Sequence, residues 1–204
     1  MPRIAAARPA AEPSSPDQKE RHRRILRVAA NLAADRGLER VQMHDVARDA
    51  GVAIATLYRY FPSKTHLFAA VMAAQVDRLD EMTPAPRPEE SPVDAVYEML
   101  ADASRQLLRR PLLANAMIQS NNASNAAQVT DAGRIDERFR QIILRMLGIE
   151  EPTAQDVALV RLLEQCWYGI LASALNGRML MPDVESDLKM ACELLLAPRS
   201  NVHS

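Results

Sequence analysis

The stretch Tyr58-Arg59-Tyr60-Phe61 holds three of the chain's few aromatic residues, which number one Trp, four Tyr and three Phe in 204 residues. A short structural segment has little use for two tyrosines and an arginine turned outward. Phosphate recognition does, because hydroxyl and guanidinium groups donate hydrogen bonds to phosphate oxygens and so seat a protein on a nucleic-acid backbone. With Ala47, Val52, Leu57 and Phe61 facing inward, the outward face of this segment carries Ile54, Ala55, Thr56, Arg59 and Tyr60. Rival chemistry has no foothold. No H-E-x-x-H, G-x-S-x-G, G-x-G-x-x-G or P-loop pattern occurs, and the acidic residues are spread at helical spacing over solvent faces, so catalysis is not expected. The only cysteines, Cys166 and Cys192, are not in a C-x-x-C pair and read as buried, reduced thiols of a cytoplasmic protein, with no metal and no cofactor. His22, His66 and His203 have no partner pattern and are expected to be exposed.

The elements that would position these residues are all helical. Hydrophobic residues make up 48% of the chain, charged residues 25%, and there are six Gly, a composition that suits a soluble helical protein rather than a barrel or sandwich. No sustained period-two alternation marks a strand, so an all-α chain of about nine helices is expected. Residues 1–16 read as a disordered arm. A helix over Asp17–Arg36 has Ile25, Ala29, Leu32 and Ala33 on one face and Gly37 as its C-cap. Two short helices follow, Met43–Ala50 and Ala53–Tyr60, divided by Gly51. Ser63 then reads as the N-cap of a long helix over Lys64–Met82, with a stripe at Phe68, Val71, Met72, Val76 and Leu79. Beyond a Pro-rich segment over Thr83–Pro92, helices are expected over Val93–Arg109, Leu112–Gln119, Ala126–Leu147, Ala154–Arg178 and Val184–Ala197. Breaks fall at Asn121–Asn125 and Met181-Pro182. The helix over Ala154–Arg178 is apolar almost all round and reads as buried on most sides. Arg161, Glu164 and Gln165 interrupt it, so it is not a membrane span. The first residues lack the apolar core of a signal peptide.

Charge is unevenly spread. Residues 1–64 hold 12 Lys and Arg against 7 Asp and Glu, while the remainder holds 13 against 19. A basic end on an acidic chain points to a polyanionic partner at that end.

Helix, short helix, glycine turn and short helix make a helix-turn-helix. The run from Gly37 through Val41-Gln42-Met43-His44-Asp45-Val46-Ala47, Ala50-Gly51-Val52-Ala53-Ile54-Ala55-Thr56 and Leu57-Tyr58-Arg59-Tyr60-Phe61-Pro62-Ser63-Lys64 resembles the DNA-binding signature of the TetR family of repressors. The resemblance covers residues 20–80. It implies that Ala53–Tyr60 is the recognition helix in the major groove, that His44, Ile54 and Thr56 reach base edges, and that Tyr58, Tyr60 and Lys64 meet phosphates, Lys64 from a helix start. Departures occur where the family usually has Thr or Ser (Val41, Gln42), Ser (Ala53) and Gly (Ala55), so Ala53 supplies no side-chain cap. The segment Arg109–Met117 and the region of Trp167 are similar to a TetR subgroup, the actinobacterial repressors of cholesterol catabolism, which implies a steroid coenzyme A thioester as effector.

The resemblance divides the chain into an arm (1–16), a helix-turn-helix domain (17–64) and a domain for ligand binding and dimerisation (65–204). It implies a homodimer on palindromic double-stranded operator DNA, with a hydrophobic small molecule as effector and no membrane partner. Methionines gather in the C-terminal part and suit an adaptable apolar cavity, expected at Leu79, Met82, Met99, Met117, Trp167 and Leu171. The last two helices are expected to pair with their copies through Leu163, Ile170, Val184, Leu188, Ala191 and Leu195. The competing reading is a helical lipid-binding or scaffold protein whose helix-turn-helix no longer binds DNA.

Overall fold

Prolines mark helix starts in this chain. Pro16 and Pro92 stand in the first turns of their helices and Pro111 opens another, positions where the missing N–H is no loss. The computed structural model describes residues 11–83, 89, 91–126 and 130–196. Among the described residues there are nine helices and no strand: α1 (Pro16–Arg36), α2 (Met43–Asp49), α3 (Ile54–Tyr60), α4 (Lys64–Met82), α5 (Pro92–Leu108), α6 (Pro111–Ala126), α7 (Thr130–Met146), α8 (Ala154–Leu175) and α9 (Met181–Leu196). The all-helical class is as the sequence pattern predicts.

Local chemistry sets most ends. Ser15 accepts from the Gln18 N–H at 3.3 Å to start α1, and Gly37, at φ 76°, ends it with its N–H on the Ala33 carbonyl. The predicted α1 stripe of Ile25, Ala29, Leu32 and Ala33 is buried. Ser63 caps α4, its hydroxyl accepting from the His66 N–H at 3.3 Å. Thr153 and Asp156 form a reciprocal capping box at the start of α8, with Asp156 Oδ2 accepting from the Thr153 N–H at 2.9 Å.

Three expectations are corrected. The segment Asn121–Asn125 reads as a break, yet α6 continues through it to Ala126. It contains no Gly or Pro to stop the helix, and the buried apolar face of Leu113, Ala114, Ala116 and Met117 that precedes it outweighs the weak helix preference of asparagine. Met181-Pro182 is the opening of α9 rather than a gap, since Pro182 occupies the first turn and Asp183 accepts from the Leu180 N–H at 3.1 Å. Finally, α8 is not buried on most sides: Leu162 and Val157 are exposed, and only Asp156, Val160, Leu163 and Leu171 are buried. The arm expected over 1–16 lies outside the described residues up to position 10. Ala11 is seated on the helix-turn-helix, its N–H donating to the Arg59 carbonyl at 3.0 Å. Most of the Pro-rich segment after Thr83 and residue His203 also lie outside the described residues.

The chain divides into two units. The first comprises Met1–Gln75 and Leu112–Gly133, and so holds α1 to α3, most of α4 and the described part of α6. The second comprises Val76–Pro111 and Arg134–Ser204, where α9 packs on α5 and α8. Its core includes Val96, Leu100, Leu163, Val184 and Leu188. Arg105 in α5 ties α9 through Glu185 at 2.8 Å, and the end of α4 is tied to α7 by Asp80, which pairs with Arg138 at 3.0 Å and Arg145 at 2.5 Å. No described helix is long and apolar enough to cross a membrane.

Candidate functional site

The helix-turn-helix is assembled from its buried side. Gly51 takes φ 63°, a left-handed conformation that favours glycine, and lets the chain turn between α2 and α3. The Val52 N–H closes that turn on the Ala47 carbonyl at 2.9 Å. From α1, Arg24 Nε donates to the Ala50 carbonyl at 2.8 Å, bracing the end of α2. Val46, Ala47, Leu57, Tyr60 and Phe61 are buried, while Val52 stays half-buried. A helix of α3's length presents one inward face, and Leu57 and Tyr60, three apart, share it.

That periodicity corrects the expectation for Tyr60. Its ring is 4% exposed and stands edge-on to His22 at 5.6 Å, so it is a packing residue of the helix-turn-helix core. His22 is likewise not free on the surface. It lies 4.9 Å from the Phe61 ring, and burial pushes its imidazole below the ordinary value, towards the neutral form. Lys64 is also differently placed. Its Nζ donates to the Leu38 carbonyl at 2.9 Å and the Val41 carbonyl at 3.2 Å, tying the loop between α1 and α2 to the start of α4. An ammonium has three donors, so this tether leaves a phosphate contact compatible but not its whole task.

The outward face holds His44, Tyr58 and Arg59 exposed, with Ile54 and Thr56 half-buried beside them. The Arg59 guanidinium lies 5.9 Å above the Tyr60 ring, so the buried tyrosine steadies the exposed cation. On α2, Asp45 and Asp49 are paired with Arg48 at 2.9 and 2.8 Å, which offsets their negative charge next to this face. Sequence reasoning missed Arg24 and Ala11, because backbone-directed hydrogen bonds over such distances leave no spacing signature.

Ala53 is the N-cap of α3 and makes no side-chain cap hydrogen bond. Ala53→Ser should supply one and raise stability by about 1 kcal/mol. In urea unfolding, the midpoint should rise with an unchanged slope; an unmoved midpoint would show that the α3 N-terminus is already satisfied in solution.

In the second unit Trp167 is held on two sides. Its indole N–H donates to Ser104 Oγ at 2.8 Å, and its ring stacks on Phe139 with centroids 5.0 Å apart. Ser104 is fully buried and in turn donates to the Leu100 carbonyl at 2.7 Å. Of the other expected cavity residues in this unit, Met99 and Leu171 are buried and Leu79 is half-buried. Met82 is corrected: at 60% exposure on the last turn of α4, it is a surface residue. Met117 is buried in the first unit.

Beside Trp167, Glu164 pairs with Arg140 at 3.3 Å. Burial, helped by the charge of Asp136, pushes its carboxyl up to about 7 against the pull of Arg140. A raised carboxylate favours the folded state when protonated, so its contribution is full below the ordinary value of 4.5 and is lost as pH rises through 7. Glu164→Gln should therefore match wild type at acidic pH and exceed it above neutrality by about 1–2 kcal/mol. Thermal unfolding across that range tests this, and a gap independent of pH would contradict the raised carboxyl.

The expected dimer residues divide. Leu163, Val184 and Leu188 are fully buried within the single chain, against its own helices, and are corrected from interface to core. Ile170, Ala191 and Leu195 are half-buried. The apolar side chains left exposed on α8 and α9 are instead Val157, Leu162, Met190 and Leu194. Cys166 is exposed as well, contrary to expectation, while Cys192 is buried and its thiol is pushed up to about 12 by burial.

Two family signatures match this architecture: the tetR family of bacterial regulatory proteins over residues 25–71, and the tetracyclin repressor-like C-terminal domain over residues 90–195. The chain is 37% identical to the HTH-type transcriptional repressor KstR of Rhodococcus jostii over 190 residues, covering 92% of this chain and 88% of that protein. A crystal structure of a TetR transcriptional regulator from Rhodococcus sp. RHA1 superposes with a TM-score of 0.83 at 54% identity, over 91% of this chain and 99% of that one. The fold also matches Thermus thermophilus FadR, a TetR-family repressor in complex with lauroyl-CoA, with a TM-score of 0.57 at 20% identity over 86% and 93% of the two chains. A glycine-turned helix-turn-helix with a polar outer face, joined to a helical C-terminal part, and these matches over nearly the whole length establish that the chain belongs to the TetR family of transcriptional repressors.

Proposed function

We propose that the chain binds an inverted-repeat operator as a homodimer through α2 and α3, and is released when an apolar effector occupies its C-terminal helical part. The observation that carries the DNA-binding half is the outward face of His44, Tyr58 and Arg59 on helices whose inner faces are locked by Leu57, Tyr60 and Phe61. Arg59 and Tyr58 serve as phosphate donors; His44, Ile54 and Thr56 are the base-reading candidates. Dimerisation through α8 and α9 is supported by the exposed Leu162, Met190 and Leu194. Two-fold symmetry then puts the recognition helices roughly 34–36 Å apart, one per half-site.

A steroid or long-chain acyl coenzyme A thioester is the favoured effector. Supporting this are the resemblance to repressors of cholesterol catabolism and the lauroyl-CoA held by a protein of the same fold. Release is a population shift: the effector must bind the low-affinity state more tightly, and a coupling of about 1–3 kcal/mol lowers operator affinity roughly 5–150-fold. Helix α4 is the natural carrier, since it starts at Lys64 beside the helix-turn-helix and ends where Asp80 is clamped by Arg138 and Arg145.

A gel shift on the chain's own promoter, against a scrambled control and over a range of salt, tests the DNA-binding half. Specific retardation that weakens steeply with salt is expected; equal affinity for both DNAs would favour the scaffold reading. Adding lauroyl-CoA or a steroid thioester should release the DNA. Trp167→Ala, which removes the Phe139 stack and the Ser104 hydrogen bond, should blunt release at least several-fold while leaving operator affinity intact. Loss of both properties would make Trp167 a purely structural residue.

A further inference from the structure

Helix α6 carries Leu113, Met117 and Asn121 at intervals of four, and all three are buried. At 3.6 residues per turn they form one stripe, which starts apolar, passes an adaptable thioether and ends on an amide. Asn121 is 6% exposed, and among the described residues its Oδ1 has no hydrogen-bond partner. Buried side-chain acceptors nearly always find a donor, and one left unmade destabilises the fold. Leucine has the same branching and number of side-chain heavy atoms, a better helix preference and no such cost. Asparagine thus works against both the helix and the core at this position. A residue that breaks local rules without a structural return is the mark of a binding position.

We propose that Asn121 is a specificity-determining contact for the effector, its Oδ1 accepting a hydrogen bond from a hydroxyl or N–H group on an otherwise apolar molecule whose body lies along Leu113 and Met117. This rests on the effector-responsive reading above and deepens it, by stating which chemical group the effector carries. An acceptor buried beside apolar side chains discriminates strongly, because a ligand lacking the donor leaves the oxygen unpaired. Met117 accommodates variation in the apolar body, and Asn121 selects the polar group.

The test uses the full chain and two matched pairs of probes: dodecanoyl coenzyme A with its ω-hydroxy analogue, and cholesterol with its deoxy analogue. Isothermal titration calorimetry reports binding. Wild type should bind the hydroxylated member of at least one pair about tenfold more tightly than its partner. Asn121→Leu should cut that preference below about twofold while raising the unfolding temperature by about 2–4 °C. Asn121→Ala, which adds no bulk, should lose the preference in the same way. Binding that ignores the hydroxyl, or a preference that survives both substitutions, overturns the role of Asn121 alone. So does a fall in unfolding temperature in Asn121→Leu, since it would reveal a structural hydrogen bond. No response of wild type to any of the four probes overturns the effector reading itself, and this inference with it.

Discussion

Leu188→Glu is expected to unfold the C-terminal part of the chain, and Leu194→Glu to leave it folded but monomeric and nearly inert on DNA. The two leucines are six residues apart on α9, yet Leu188 is fully buried and Leu194 is 72% exposed. A carboxylate at Leu188 would sit in the core that α9 makes with α5 and α8 with no partner, at a cost on the order of 5 kcal/mol. That is a large share of the stability of an ordinary domain. At Leu194 the charge meets water in the single chain and costs little until a second copy covers it. The folded monomer should then hold one half-site at a time, and losing the second contact removes about 100-fold or more in operator affinity. Circular dichroism separates the two fates, sedimentation reports the oligomer, and a gel shift reports the DNA. A Leu194→Glu chain that sediments as a dimer would move the interface off this face of α9, and a well-folded Leu188→Glu would contradict the packing of α9 on α5.

On the DNA side the largest effect should come from Arg59. Its guanidinium is exposed on α3, and Arg59→Ala should weaken binding about tenfold for every DNA sequence and reduce the salt slope by about one. Tyr58→Phe, which removes an exposed phenol donor, should act in the same direction but less. Tyr60→Phe should change affinity less than about twofold, because the ring is buried against His22 rather than turned to the groove. His44→Ala should instead alter the preference among half-site bases. Titration on operator and scrambled DNA distinguishes these outcomes. A tenfold loss in Tyr60→Phe would return its hydroxyl to the phosphate contact, and an unchanged Arg59→Ala would remove α3 from the backbone.

Pairs of signals agreed wherever the sequence was legible. Gly37, Gly51 and Pro62 punctuate the first helices, and α1 to α4 lie within a residue or so of their expected bounds because cap, turn and stripe coincide there. Where only one signal was present, reading failed. The polar segment Asn121–Asn125 resembles a loop by composition, but it holds no Gly or Pro to stop a helix, and α6 runs through it to Ala126. Tyr60 resembles a surface donor by type, yet its register three residues after Leu57 turns it inward. Val184 and Leu188 form a clean apolar stripe, and a stripe alone does not say whether its partner belongs to the same chain.

What the amino-acid sequence determined by itself was therefore set within one turn of helix: where α1 to α4 start and stop, which short helices flank a glycine turn, and the chemical types on their outer face. Those properties depend on caps, φ preferences and a period of 3.6, all of which act between near neighbours. Only the tertiary structure decided which side chains meet across elements: Arg24 on Ala50, Lys64 on Leu38 and Val41, Trp167 between Ser104 and Phe139, and the leucines of α9 divided between core and surface. Such contacts join residues dozens of positions apart. Their energy comes from burial and pairing in a packed interior, and no local spacing encodes which distant residue arrives to share it.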